Sequence, residues 1–355
     1  MNYKKYPKIN EIKYCKRKEK MSTNNGNKKG NGKSYQHRAW RKMEPDERNL
    51  NDQLHKMYKT IILPQEMKQI RYDVSKKIEQ LLDSNYPNFM FKAVIYGSTE
   101  YGLCLIDGDL DLCLLSYSFT EVTSTMLHTF ADLLKENNFE IILVIPTARI
   151  PIIKMIDLET NTHIDLSFNQ STPTMHSEFF TTMVNCIDPF KRVTVLLKHW
   201  LKMRNLNCPF QGGLSSAALC FMIIHYFISL DPPLFPNDYT QTYFPMIQIN
   251  ATRLSTQLAN KYSTAYLVKG FFEYYKSFDF DELIIPTTIP IPSDYFAIPA
   301  VINVLDPITF QNCAKSVSTE GLKTFKMEVI RAFKLLNDEN DFAKVLENPV
   351  PFPQN

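Results

Sequence analysis

Aspartate stands at positions 107, 109 and 111, in a run that continues Leu110, Leu112, Cys113, Leu114, Leu115. Side chains of a β-strand point alternately to opposite faces. Residues 110–115 therefore predict a strand with leucines on the core side and carboxylates on the other. Asp109 and Asp111 would project from one face, roughly 6–7 Å apart along the strand. Two carboxylates at that spacing raise each other's pKa unless a cation neutralises them. Hard oxygen donors suit Mg²⁺, which is commonly held by one or two carboxylates together with substrate phosphates. A third carboxylate stands in "THIDLSF", where Asp165 lies between Ile164 and Leu166. An Asp-x-Asp with a distant strand aspartate is the minimum set for two metal ions. Taken alone, an Asp-x-Asp is more often a solvated strand edge.

Context strengthens the metal reading. A strand over Phe91–Tyr96 is stopped by Gly97-Ser98, and Gly102 permits a second bend. Backbone amides and a hydroxyl in such a turn can cradle phosphates, although most Gly-Ser pairs are plain turns. Thr120–Asn137 reads as a helix, and Phe139–Pro146, Ile150–Ile156 and Thr162–Phe168 as further strands. Ahead of them Pro64 opens a helix with Met67, Ile70, Val74, Ile78, Leu81 and Leu82 in one stripe. Strands and helices mix without regular alternation, which favours a small mixed sheet. After about Ser177 the texture changes to long apolar-periodic segments such as "RVTVLLKHWLKMR" and "LSSAALCFMIIHYFISL", joined by Pro-rich connections. They predict a second, mainly helical domain.

Charge is unevenly spread. Residues 1–50 carry fifteen Lys/Arg against five Asp/Glu, while the whole chain is only +3. Residues 1–48 read as a disordered basic arm, either a solubilising tail or a segment attracted to phosphates by counterion release. Met21 offers an alternative start. The seven cysteines show no CxxC and sit mostly in apolar runs, as buried thiols of a reducing compartment do. No membrane span, secretory signal or presequence is expected.

The Gly97-Ser98 pair, followed 12 and 11 positions later by Asp109 and "DLDLCLL", resembles the DNA-polymerase-β-like nucleotidyltransferase superfamily. Within it the chain is similar to the cytoplasmic poly(A) polymerases and terminal uridylyltransferases. The likeness runs from about Glu66 to Leu336 and takes in "ARIPIIKM", "LLKHWLKMRNLN", "GGLSSAALCFMIIHYF" and "VLDPITFQNCAKSV". Spacing from Gly97 favours Asp109/Asp111 as the motif and leaves Asp107 in the turn.

The resemblance implies an α+β fold: a small mixed-sheet nucleotidyltransferase domain over 89–178 against a helical domain over 179–345, with the active-site cleft between them. Residues 49–88 would be a helical segment packed on the helical domain, and 346–355 a tail. It implies a template-independent RNA 3′-terminal nucleotidyltransferase in which Asp109, Asp111 and Asp165 hold Mg²⁺, with Mn²⁺ as substitute. Gly97, Ser98, Lys198, Lys202 and Ser216 would contact phosphates, Ser177, alone or with His176, the ribose, and Asn312 or Gln311 the base. Two lysines at i and i+4 share a helix face, as a triphosphate clamp needs; a solvated pair is the alternative. His199 reads as a packed core histidine.

Several positions depart from the family pattern. Gly108 replaces the usual Ser, Ser177 falls where Asn-Thr is usual, and Ala217 replaces a base-stacking aromatic. Base stacking is worth about 1–3 kcal/mol, so affinity should fall unless another ring substitutes. The base-selecting histidine of the uridylyltransferases is absent from "DPITFQNCAKSV", which points to ATP before UTP. No RNA-recognition motif, KH or zinc-knuckle signature is present, so a separate RNA-binding protein should recruit the RNA 3′ end. A monomeric catalytic subunit, cytoplasmic or nuclear, is expected. A catalytically silent scaffold that binds RNA or protein is the reading from another class.

Overall fold

Five strands form one mixed sheet in the order β1-β2-β5-β4-β3. They are β1 (Lys92–Tyr96), β2 (Leu110–Leu115), β3 (Phe139–Ile145), β4 (Ile152–Asp157) and β5 (Thr162–Phe168). Only β2 and β5 run parallel; the other pairs are antiparallel. The computed structural model describes residues 43–347 apart from 120, 149, 171, 235–261 and 285–299. Most of the basic arm, the connection "IIPTTIPIPSDY" after its first residue and most of the C-terminal tail lie outside the described residues.

The sheet's apolar face is formed by Leu110, Leu112 and Leu114 of β2 with Ile153, Met155, Ile164 and Leu166, all buried. It packs against α2 (Gln65–Asn85) through Val74, Ile78 and Leu82, and against α4 (Ser124–Glu136) through Leu127, Phe130 and Leu134. α4 starts at Ser124 rather than at Thr120 because Thr123 caps it, accepting a hydrogen bond from the Met126 amide at 3.2 Å.

A second core is helical. It joins α1 (Pro45–Ile61), α5 (Thr172–Cys186), α6 (Asp188–Met203), α7 (Ser216–Ser229), α8 (Thr264–Lys276), α9 (Thr319–Asp338) and α10 (Phe342–Leu346). Its centre holds Trp200, Phe221, Phe271 and Phe272. Trp200 meets Phe272 edge-on with ring centroids 4.9 Å apart.

The expected division into segments differs in two places. α1 begins at Pro45, inside the expected arm, because Pro sits in the first turn with Asp46 and Glu47 at the positive end of the helix dipole. The stretch 49–88 divides between the cores: Leu50 and Leu54 of α1 join the helical one, whereas α2 covers the sheet. Among the described residues no helix is long and apolar enough to cross a membrane.

Candidate active site

One register row crosses the polar face of the sheet. Tyr96 lies opposite Asp111, Asp111 opposite Asp165, Asp165 opposite Lys154, and Lys154 opposite Leu143. Adjacent strands are about 4.8 Å apart, so the carboxylates of Asp111 and Asp165 are neighbours by construction. Their crowding is visible in the chemistry of Asp111. Burial, then Asp165 and then Asp109 push its pKa up to about 7, against the opposing pull of Lys198 and Lys154. Asp165 has a countercharge of its own, a Lys154 Nζ–Oδ2 contact of 2.5 Å. Asp109 stands exposed just ahead of β2. Asp107 lies further out in the connection and is not part of the row.

The turn after β1 is pressed onto this row. Gly97–Glu100 forms a single helical turn, α3. Gly97 has φ +68°, and a Cβ there would fall 2.1 Å from Oδ2 of Asp111. Only glycine lets the backbone lie against the carboxylate in that conformation. Ser98 is half-buried in the same turn, and its carbonyl accepts from the Leu103 amide at 3.0 Å.

Lys198 and Lys202 both face the connection from α3 to β2. Lys198 Nζ donates to the Leu103 carbonyl at 2.9 Å, and Lys202 Nζ contacts Asp107 Oδ2 at 2.7 Å. Burial works to raise the Asp107 pKa, but Lys202 outweighs it and holds the carboxyl below its ordinary value. His199, expected in the core, is half-buried, and burial lowers its pKa; Trp200 takes the core position beside it.

Two expected nucleotide contacts, Ser177 and Asn312, have other partners here, while a third, Ser216, is exposed. Ser177 is buried, and its Oγ accepts from the Gly97 amide at 3.1 Å, so α5 holds the turn in place. Of the adjacent serines 215 and 216, Ser215 is the cap of α7, accepting from Ala218 N at 3.1 Å and donating to the Cys313 carbonyl at 3.2 Å. Ser216 is left exposed at the first residue of the helix. The Asn312 amide is engaged within its own loop. Its Nδ2 donates to the Ile302 carbonyl and Asn303 Oδ1, and its Oδ1 accepts from Val304 N and Ala314 N. Gln311 beside it is exposed. Asp306 anchors that loop to α5 through His176 at 2.7 Å.

Lys154 was legible only as a lone charge in the apolar strand "IIKMI", and its pairing with Asp165 depends on strand order. Among the described residues no three His, Cys, Asp or Glu side chains are gathered tightly enough to enclose an ion in this conformation. The donor set nevertheless fits Mg²⁺: hard oxygens on adjacent strands, with one carboxyl raised by burial and by its acidic neighbours.

Residues 50–185 match the family model described as "Poly(A) RNA polymerase, mitochondrial-like, central palm domain". The poly(A) RNA polymerase cid13 of Schizosaccharomyces pombe is 29% identical over 191 residues, which is 53% of this chain and 32% of that protein. The terminal uridylyltransferase cid1 of the same yeast is 33% identical over 150 residues, 41% of this chain and 36% of that one. The chain thus spans about a third of the length of these two curated relatives. Among solved structures, a cytoplasmic RNA terminal U-transferase superposes with TM-score 0.71 at 23% identity, covering 86% of this chain and 99% of that one. A histidine-to-asparagine variant of the Cid1 poly(U) polymerase, bound to MgATP, superposes with TM-score 0.69 at 22% identity over 84% of this chain and 99% of that one. Residues 50–185 are thus similar to the central palm domain of poly(A) RNA polymerases, and the described fold is the one shared by the solved Cid1-type nucleotidyltransferases over most of this chain's length.

Proposed function

We propose that this chain adds nucleotides without a template to RNA 3′ ends, using ATP. The observation that carries the reading is the cross-strand pair Asp111–Asp165 under the Gly97 turn, with Lys198 close enough to act on the charge of Asp111. Asp109, Asp111 and Asp165 would hold Mg²⁺, or Mn²⁺ in its place. When bound, such ions make the 3′-hydroxyl a better nucleophile and steady the departing pyrophosphate. The chain's own groups do the rest. Asp165 accepts the proton of the RNA 3′-hydroxyl, whose oxygen forms a bond to the α-phosphorus while the bond to the bridging oxygen of the β-phosphate breaks. The amides of the Gly97-Ser98 turn, the Ser98 and Ser216 hydroxyls, Lys198 and Lys202 take up the charge of the leaving group. For Lys202 this means exchanging Asp107 for a phosphate. That pair is exposed and therefore weak.

ATP is favoured over UTP because the late segment, with Asn312 or Gln311 at that place, lacks the base-selecting histidine that the resemblance gives to the uridylyltransferases. A histidine-to-asparagine variant of the Cid1 poly(U) polymerase bound to MgATP is consistent with that choice. The likeness to cid1 itself supports a uridylyltransferase as the alternative. RNA recruitment by a separate binding protein and a cytoplasmic or nuclear site of action belong to the same reading.

The test is primer extension on an A-rich RNA with each nucleotide separately, in Mg²⁺ or Mn²⁺, with Asp111→Asn as control. A ladder with ATP that the control lacks supports adenylyl transfer. A ladder with UTP alone establishes the uridylyl reading instead. Nucleotide binding without extension under any condition would make the chain a silent scaffold.

A further inference from the structure

A buried arginine outside every motif lies beneath the metal aspartates. Arg71, in the middle of α2, is 4% exposed. Its Nη1 donates to Thr99 Oγ1 at 2.6 Å, to Cys104 Sγ at 3.1 Å and to the Asp109 carbonyl at 3.2 Å, and its Nη2 donates to the Gly108 carbonyl. Among the described residues no carboxylate pairs with it. An unpaired buried cation is costly. Here the cost is offset by backbone and side-chain acceptors, all of which lie between Thr99 and Asp109, from α3 to the entry of β2.

Those acceptors are informative. Thr99 belongs to α3, the turn that lies against Asp111, and Gly108 and Asp109 are the last residues before β2. One guanidinium therefore joins the phosphate-side turn to the entry of the carboxylate strand. Its rigid planar fork presents donors at fixed angles, which a lysine ammonium on a flexible stem does not. Gly108 fits the same arrangement, because a Cβ there would stand 2.9 Å from Cys104 Sγ, itself an acceptor of Arg71.

We propose that Arg71 is a positioning residue for catalysis. It sets the backbone of Asp109 relative to α3, and so the placement of the first carboxylate toward the metal. This rests on the metal-dependent reading above.

The experiment compares wild type, Arg71→Lys, Arg71→Gln and Thr99→Val as full-length chains. Readouts are kcat and KM for ATP, the melting temperature, and Mn²⁺ affinity from electron paramagnetic resonance of free Mn²⁺ with a non-hydrolysable ATP analogue present. Loss of a group that orients metal ligands typically costs about 10–100-fold in metal affinity or activity. Arg71→Lys should therefore lose about 10–100-fold in kcat and about tenfold in Mn²⁺ affinity, with KM for ATP within about threefold. Thr99→Val, which frees the fork from α3 but keeps its carbonyl acceptors, should fall between wild type and R71K. The proposal is overturned if folded R71K and Thr99→Val keep wild-type Mn²⁺ affinity and kcat. It is overturned equally if the activity of R71K falls only in proportion to its unfolded fraction. An Asp111→Asn control locates the metal. If wild type binds no Mn²⁺ at that residue, the metal-dependent reading fails first and the role of Arg71 toward it fails as a consequence.

Discussion

Gly97 is the most sharply constrained position of the site. Its positive φ excludes most residues, and the Asp111 carboxylate occupies the space of a Cβ. Gly97→Ala should move Asp111 or the turn by a substantial fraction of an ångström. Misplacement of that size at a reacting centre costs about 100-fold in rate. Primer extension should show such a loss while far-ultraviolet circular dichroism shows an intact fold; near-normal activity would mean that the turn does not touch the reacting groups. Gly108 makes a subtler case, since here a serine would collide with Cys104. Gly108→Ser should therefore lower the melting temperature, and adding Cys104→Ala should recover most of the loss. Failure to recover would place the conflict elsewhere, with the Leu105 carbonyl 3.2 Å away as the alternative obstacle. Asn312 shows why a motif position can mislead. Its type and place point to a base reader, yet its amide satisfies the loop that carries it. Asn312→Ala leaves buried amides unpaired and should cost about 1–3 kcal/mol, readable in chemical denaturation. An unchanged denaturation midpoint would show that the loop does not depend on it.

The secondary elements were the most legible part. β2 and β5 follow from alternation alone, because their leucines and isoleucines need a core face and their aspartates cannot share it. What alternation does not say is which strand lies next to which. That β2 and β5 are parallel neighbours, in the register that puts Asp111 beside Asp165, depends on non-local pairing. The β4–β5 hairpin illustrates the same limit. Asp157 reads as a turn residue, but it is fully buried and bridges elements, accepting from Thr160 and from Lys77 of α2 at 2.9 Å. Burial works to raise its pKa, but the Thr160 and Lys77 hydrogen bonds outweigh it and hold the carboxyl below its ordinary value. A lowered folded-state pKa contributes stability that is present above the unfolded value, about 4, and is lost as pH falls below it. Asp157→Asn should cost about 1–3 kcal/mol at neutral pH. The variant should also lose less stability than wild type between pH 5 and 3. Parallel stability curves in that range would mean that the ion pair contributes nothing.

At the scale of the whole molecule, charge is unevenly spread along the chain. Residues 1–42 carry fourteen Lys/Arg against two Asp/Glu, while the remainder is net acidic. Deleting 1–42, which stops short of α1 at Pro45, should weaken RNA binding most at low salt and flatten its salt dependence, because released counterions supply such affinity. Filter binding across a salt series measures this, and an unchanged slope would make the arm a passive tail. Single-nucleotide affinity should stay the same, since every metal and nucleotide contact assigned among the described residues lies between Gly97 and Asn312. What the sequence determined by itself was the inventory: strands with one carboxylate face, helices with one apolar face, a Gly-Ser turn and a basic arm. These are local properties, written in periods of two and 3.6 residues. Only the tertiary structure decided that Asp165 is countered by Lys154, that Ser177 holds the turn, and that Arg71 reaches beneath Asp109 from 38 residues away. Each depends on which segments become neighbours when the cores close, and burial of apolar surface selects neighbours without leaving a local trace in the residues it brings together.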